Sequence, residues 1–537
     1  MVTVLFEIFE SDLLGRNGII HSQKGKIRTP SFVPVVHPEV TKNLVTVADF
    51  QSKFDVDLII TSSYILKRRF SDREINLHDL TNFQGPIMTD SGAYQSLVYG
   101  EIDLTPENVI EYQEMIGSDF AVPLDIPISK TDSYEIAKSK VQETILRSQN
   151  VPSLIKSQKT IWVGPIQGGR FLDLVKKTAI EANKVDCFNM FAIGSVVELM
   201  NDYKYDTLID IILTAKQILN PAKPIHLFGA GHPSMFPLIV AAGCDTFDSA
   251  AYALYAQDDR YMTSNYTYQL VDLKEFPCNC PICSNINPKD LLKLEKIERK
   301  KLLAAHNLYV CQTEIKNIRS SISSGTFWNL LESRSRVHPS LRRGFDRLQK
   351  YSRQLSKNTA STKKKGVLFT SESDLNRPEI LLHKNRLNNL SAKKRKKLLL
   401  ISLLNDEIKE TYQIYKIIRN YIIQRPDLIK KFEIWIVAPY FGLLPIEVSE
   451  VYPLTQSVLV KDISKEKMQA IIYDSINLVK KRAFQEIFLL GEIKEFIRLE
   501  KEINLISNLK TKIKTFGFSI NEDNIEKLSA IFEIILV

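Results

Sequence analysis

Eight short apolar runs alternate with longer amphipathic stretches across the first 310 residues, and this alternation limits the possible folds more than any other feature of the chain. The runs are FVPVV (32–36), LIIT (58–61), PIMT (86–89), FAVPL (120–124), IWVGPI (161–166), MFAI (190–193), IHLF (225–228) and CDTF (244–247). Between them lie stretches such as ENVIEYQEMI, DLVKKTAIEANKV and YDTLIDIILTAKQIL, whose apolar residues recur at helical spacing. Short buried strands separated by helices pair in parallel through right-handed crossovers. Eight such units predict an α/β fold, a (β/α)8 TIM barrel. An open doubly wound sheet is the alternative on pattern alone.

A chain of 537 residues is too long for a single core. The expected division is a barrel over 1–345 with an inserted subdomain at about 276–310, a basic linker over 346–366, and a smaller C-terminal α/β domain over 367–537. In that last part, 366–385 and 396–425 read as helix-rich connections, EIWIVAPYF (433–441) and 484–491 as strands, and 465–480 as a helix. No run of 18 apolar residues occurs, and the N-terminus carries acids where a signal peptide carries bases. With Cys187, Cys244 and Cys311 scattered, the expectation is a protein of the reducing cytoplasm that meets no membrane.

The net charge of +9 is concentrated. Arg334, Arg336, Arg342, Arg343, Arg347, Lys363, Lys364, Lys365 and the run Lys393–Lys397 crowd one region. Phosphate contact explains such crowding; a solvated basic linker is the plainer account.

Cys278-Asn279-Cys280-Pro281-Ile282-Cys283 is followed by His306. Three thiolates and an imidazole at such spacing predict a closed tetrahedral Zn²⁺ site, one per chain and structural, because no position stays open for substrate. The alternative is a group of free thiols beside an unrelated histidine.

Chemistry is therefore expected elsewhere, at the ends of the apolar runs. Asp90 follows PIMT, Asp125 follows FAVPL, Gln167 follows IWVGPI, Gly194 follows MFAI, and Asp248 follows CDTF. Barrel enzymes build their sites at this rim. Each aspartate alone could cap the next helix. Three carboxylates in one mouth repel one another and imply a ligand. No GxxxxGK[ST] or GxGxxG element supports a nucleotide cofactor.

The elements TDSGAYQ, LDIP, GPIQGG, AIGS, HLFGAGHP and FDSAAYALYA, with CxCxxC…H after them, resemble the tRNA-guanine transglycosylases, the archaeal branch in particular. The likeness is strong over about 1–345, and RPE (377–379), PYFGLLPIE and VYPLTQ resemble the C-terminal region of archaeal members. The resemblance implies exchange of guanine 15 in the tRNA D-loop for 7-cyano-7-deazaguanine, in the archaeosine pathway. It implies Asp248 as nucleophile, with Asp245 as the rival inside the strand pattern, and Asp90 as general acid/base. Asp125 would accept the donor N–H groups of the base, Gln167 and the backbone of Gly194 would bind its carbonyl side, Tyr94 and Phe228 would sandwich the ring, and Val196 and Val197 would line the nitrile pocket. A homodimer is implied as well. No RNA-binding PUA domain is evident, so a separate PUA-domain protein is a possible partner. A non-catalytic tRNA-binding paralogue would be expected to lack the acid pair or the metal ligands, and a carbohydrate-cleaving barrel would leave the basic surface unexplained.

Overall fold

The computed structural model describes residues 5–70, 75–93, 105–360, 362–390, 395–402, 419–448, 457–459, 463–482, 484–491, 512–517, 530–531 and 533–534. The chain forms two compact units, Met1–Tyr351 with Asn358–Ala360, and Ser352–Lys357 with Ser361–Val537.

The first unit opens with three antiparallel strands, β1 (Phe6–Asp12), β2 (Gly15–Ser22) and β3 (Gly25–Thr29). All eight apolar runs then contribute strands: β4 (Ser31–Pro34), β5 (Ile59–Ser62), β6 (Ile87–Asp90), β7 (Phe120–Ala121), β8 (Ile161–Ile166), β9 (Phe188–Ile193), β10 (Ile225–Leu227) and β11 (Thr246–Ser249). Their order in the sheet is β4-β11-β10-β9-β8-β7-β6-β5, every pair parallel. A parallel bridge between Val35 and Ile60 joins the two ends, so the sheet is a barrel and not an open sheet. Because helices cover the outside, the strands are buried on both faces and read as continuous apolar runs.

Val33, Ile60, Met88, Val122, Val163 and Met190 fill the barrel interior, and Phe6, Ile20 and Ile27 of the antiparallel sheet belong to the same buried cluster. Helices start where the sequence supplies caps: the side chains of Thr105, Ser133 and Asn287 accept N–H groups of Pro106–Met115, Tyr134–Leu154 and Pro288–Lys293.

Asp245 does not lie inside a strand. It precedes β11, at the end of the barrel opposite the strand C-termini, and is 1% exposed. Its carboxylate takes both Nε (2.8 Å) and Nη2 of Arg16 and the Ile225 N–H (2.8 Å). This ion pair removes Asp245 as a rival nucleophile.

After β11 come the helix Ala251–Gln257, the hairpin β12 (Arg260–Met262) and β13 (Thr267–Gln269), a cysteine-bearing loop, and the 29-residue helix Lys296–Ser324. Helices Phe327–Ser335 and Pro339–Gln349 complete the unit. Trp328 is buried, and Leu331 is more deeply buried than Leu330.

The second unit holds a five-stranded sheet. Its strands are β15 (Lys397–Ser402), β16 (Phe432–Ala438), β17 (Gly442–Pro445), β19 (Glu486–Gly491) and β20 (Lys512–Gly517), ordered β17-β16-β15-β19-β20 with only β17 antiparallel. A separate parallel pair is formed by β14 (Val367–Phe369) and β18 (Ser457–Leu459), and a helix spans Lys465–Lys481. The expected helix-rich stretch at 396–425 is corrected: KLLLIS is the central strand, because a short apolar run has the same periodicity in a buried strand as in a buried helix. The 346–366 stretch is not a plain linker either. It contains the end of Pro339–Gln349, the helix Ser352–Leu355, and Lys363, whose side chain is 2% exposed against Glu379. VYPLTQ, Lys393 and Lys394 lie outside the described residues.

Removing one partner of the Arg16–Asp245 pair strands a buried charge. Asp245→Ala is expected to cost about 3–5 kcal/mol of stability in urea denaturation, and Arg16→Met with Asp245→Leu much less.

Candidate functional site

One rim collects the polar side chains. Asp90 ends β6, Asp248 lies near the end of β11, and Asp125 and Gln167 follow β7 and β8. All four line a single cavity of about 790 Å³, together with Gly194, Val197 and Phe228.

Asp90 Oδ1 accepts the Gly92 N–H (2.7 Å) and the Ser62 hydroxyl (3.1 Å), while Ser63 donates to its carbonyl (2.7 Å). Burial pushes the Asp90 carboxyl up to about 7; the hydrogen bonds pull it back, and the charges of Asp248 and Asp125 add to the rise. A carboxyl held there exchanges protons near neutral pH.

Asp248 is 8% exposed and is held differently. Its Oδ1 accepts from His226 Nε2 (3.1 Å) and from the Gly229 N–H (3.0 Å). A carboxylate only accepts, so Nε2 carries the proton of this pair. His226 Nδ1 pairs with the Thr246 hydroxyl (2.9 Å). Gly229 aims its N–H with a φ of +82°, a conformation that favours glycine. Both donors fall on one oxygen, and among the described residues Oδ2 has no hydrogen-bond partner. His226 was not singled out from the sequence, since IHLF reads simply as a buried strand.

Asp125 accepts from Gln167 Nε2 and Ser91 Oγ (3.4 Å), and burial raises its carboxyl against the pull of these bonds. Gln167 Oε1 accepts from Ser195 Oγ, which itself accepts the Ile128 N–H (2.7 Å). The amide is thereby oriented with its NH2 group toward Asp125. A Cβ on Gly194 would sit 2.4 Å from Gln167 Nε2, so only glycine leaves room for this side chain. The Gly194 N–H, expected at the base, is instead spent on the Ile166 carbonyl (3.0 Å) within the barrel ladder.

Val197 is among the residues that line the cavity, while Val196 is fully buried. Phe228 lies edge-on to His226, ring centroids 4.9 Å apart, and supplies one wall. Tyr94 lies outside the described residues.

Cys278, Cys280, Cys283 and His306 form a separate group, all ligand atoms within 4.8 Å of one another. His306 Nδ1 is 3.5 Å from Cys280 Sγ and 3.3 Å from Cys283 Sγ, close to the roughly 3.6 Å edge of a tetrahedral zinc site. His306 Nε2 donates to the Met262 carbonyl (2.9 Å), which leaves the Nδ1 lone pair turned to the thiols. Tyr261 stacks on the imidazole at 3.8 Å and lies 3.3 Å from Cys283 Sγ. This donor set could hold a metal ion and fits one that needs no open position.

The basic crowding is partly neutralised. Arg334, only partly exposed, pairs with the buried Glu314 at 2.7 Å; Arg336 pairs with Glu332, Arg342 with Asp346, and Arg347 with Asp210. Glu314 and Asp210 come from distant parts of the sequence and Glu332 and Asp346 from one helical turn away, so the run of positive charge overstated the free basic surface. No described helix is long and apolar enough to cross a membrane.

The family described as Queuine tRNA-ribosyltransferase matches residues 12–340. Relatives named tRNA-guanine(15) transglycosylase occur in Sulfolobus acidocaldarius, at 37% identity over 90% of this chain and 95% of the relative. Others are in Methanocaldococcus jannaschii, at 40% over 89% and 72%, and Saccharolobus solfataricus, at 37% over 91% and 97%.

The raised Asp90 carboxyl has a stability consequence. Its unfolded-state value is about 3.9, so stability falls as pH rises from there through about 7, where the buried carboxyl is forced to ionise. Asp90→Asn is therefore expected to stabilise the protein at about pH 8 and to lose that advantage toward about pH 4, read from unfolding free energies at both.

Proposed function

The chain belongs to the queuine tRNA-ribosyltransferase family, pentosyltransferases that exchange guanine in tRNA, and from that premise we propose that it replaces guanine 15 with 7-cyano-7-deazaguanine through a covalent tRNA–enzyme intermediate. The observation that carries this reading is the unequal pair of rim acids. Asp248 has one oxygen held and one free, while Asp90 is poised near 7 in the same cavity.

In this reading Asp248 Oδ2 attacks C1′ of the ribose. The C1′–N9 bond breaks, its electron pair leaves with guanine, and the neutral Asp90 supplies the proton. The incoming base then gives its N9 proton to Asp90, N9 attacks C1′, and Asp248 departs as carboxylate. The sugar is never exposed to water as a free cation, which favours exchange over hydrolysis. Asp125 accepts N–H groups of the purine-like edge, and Gln167, its NH2 oriented by Ser195, donates to the carbonyl side. Phe228 stacks on the ring, with Val197 beside the nitrile. His226 acts as a positioning residue that keeps Oδ1 occupied so that Oδ2 attacks.

The same reading has one structural Zn²⁺ per chain on Cys278, Cys280, Cys283 and His306. It also has a homodimer, a cytoplasmic setting, an archaeosine product, and tRNA binding assisted by a separate PUA-domain protein. Val271 and Ile297, 72% and 58% exposed near the cysteine loop in sequence, support a dimer contact there.

Labelled guanine exchange into unmodified tRNA tests the central claim. Asp248→Asn and Asp90→Asn are expected to lose at least about a hundredfold in kcat, and 7-cyano-7-deazaguanine to compete with guanine. Full activity of Asp248→Asn would sink the assignment. His226→Phe should lower kcat about tenfold with KM for tRNA little changed, and His226→Gln, which still donates, should recover most of it. His306→Ala should abolish stoichiometric zinc, measured by elemental analysis, and lower the melting temperature.

A further inference from the structure

The cavity extends well beyond the groups that the base exchange needs. Asp90, Asp125, Gln167 and Phe228 suffice for one flat bicyclic base, yet the volume of about 790 Å³ continues to a second wall that includes Tyr203, Tyr205, Tyr255, Arg260 and His338.

This wall is aromatic, with Tyr203, Arg260 and His338 exposed and Tyr205 buried. Tyr203 is 52% exposed, and its ring stacks on the His338 imidazole at 4.9 Å and 21° and meets Tyr205 edge-on at 6.2 Å. Tyr203 has a φ of +56°, a left-handed conformation that strains a bulky residue. The helix ending accounts for it: Tyr203 closes the helix Val197–Asn201, where the Tyr203 and Lys204 N–H groups donate to the Met200 (3.0 Å) and Leu199 (2.8 Å) carbonyls, and this turn leaves the ring largely open to solvent. His338 is itself anchored: its Nδ1 accepts the Ser340 N–H (3.1 Å) at the start of Pro339–Gln349. Farther along, the Arg260 guanidinium lies 5.3 Å from the centre of the Tyr255 ring. Arg260 is exposed, and among the described residues no carboxylate lies within ion-pair distance of it.

An exposed aromatic pair and a cationic fork that line one cavity with a pocket for an extruded base match what flanks that base. Drawing one nucleotide out of a stacked strand bares the π-face of its neighbour, and protein aromatics replace the lost stacking. A guanidinium suits the adjoining phosphate. Resting on the base-exchange reading, we propose that Tyr203 and His338 form a stacking platform for the nucleobase adjacent to the exchanged guanosine, with Arg260 contacting a phosphate of the same strand.

The test is equilibrium binding of tRNA to the full chain at fixed salt, with intact tRNA and with tRNAs abasic at either neighbour of the target guanosine. Tyr203→Leu, and independently His338→Asn, which keeps a helix cap, are expected to raise Kd for intact tRNA about tenfold, and Tyr203→Phe to leave it unchanged. One abasic tRNA should bind the parent protein about tenfold more weakly and bind Tyr203→Leu no more weakly than intact tRNA does. Affinity for free 7-cyano-7-deazaguanine should stay constant throughout. Unchanged Kd in both variants, or abasic and Tyr203→Leu losses that simply multiply, would overturn the platform. A parent protein that binds tRNA with the expected pattern but exchanges no guanine would instead overturn the base-exchange reading and leave the platform standing.

Discussion

Closing eight parallel strands into a ring imposes the constraint on which the remaining chemistry depends. The Val35–Ile60 bridge completes the ring, and every strand C-terminus then faces one mouth. Three aspartates meet there in a poorly hydrated space, where ionising all of them is expensive. The site resolves that conflict by unequal treatment. Asp248 receives a histidine N–H and a backbone N–H on one oxygen, whereas Asp90 receives a backbone N–H and a hydroxyl and stays protonated to about pH 7. Two identical side chains meet different surroundings, and on the proposed reading these give them different roles. Asp245 at the other end of the barrel shows the opposite solution: direct pairing with Arg16 makes it structural and inert.

The group of three cysteines and His306 reaches this mouth through one helix. Lys296–Ser324 carries His306 and, next to it, Asn307, whose side chain accepts the Met262 N–H (2.9 Å) and donates to the Tyr252 and Arg260 carbonyls (3.1 Å each). Asn307 thus ties the His306 helix to β12 and to the helix that follows the Asp248 strand. Lower on the same helix, Glu314 holds Arg334, and Arg319 donates to the Pro30 and Arg28 carbonyls beneath β4. A metal that fixes His306 fixes the register of this helix, and with it the rim around Asp248 and Arg260.

Much of this was legible from the chain because the signals are local. Parallel strands covered on both faces must be apolar throughout, so eight runs marked eight strands. Three cysteines in six residues cannot easily mean anything but a shared ligand. The unread features depend on partners distant in sequence. His226 looks like one polar interruption in IHLF until β10 and β11 lie side by side and place it against Asp248, 22 residues on. Arg334 and Lys363 look like free charges until Glu314 and Glu379 fold against them. The Gly194 N–H could be assigned to a ligand only while its ladder partner, Ile166, was unknown. KLLLIS failed as a strand for a different reason: six residues are too few for periodicity to separate strand from helix.

The aromatic wall bears on how such an enzyme can choose its target. In the proposed reading Asp125 and Gln167 would read only the edge of a base, and every guanine in a tRNA presents the same edge. Discrimination among guanines must therefore come from groups outside the base pocket, and it must act on the extruded state, because a base still stacked in the duplex never meets the pocket at all. Tyr203, His338 and Arg260 line the same cavity as the acids, and the left-handed turn that ends the helix Val197–Asn201 presents the Tyr203 ring there. Stacking there would lower the energy of the extruded strand and not of the stacked one. Binding energy spent at that wall would then help to offset the cost of drawing out the base, leaving Asp90 and Asp248 to contribute to the chemistry alone.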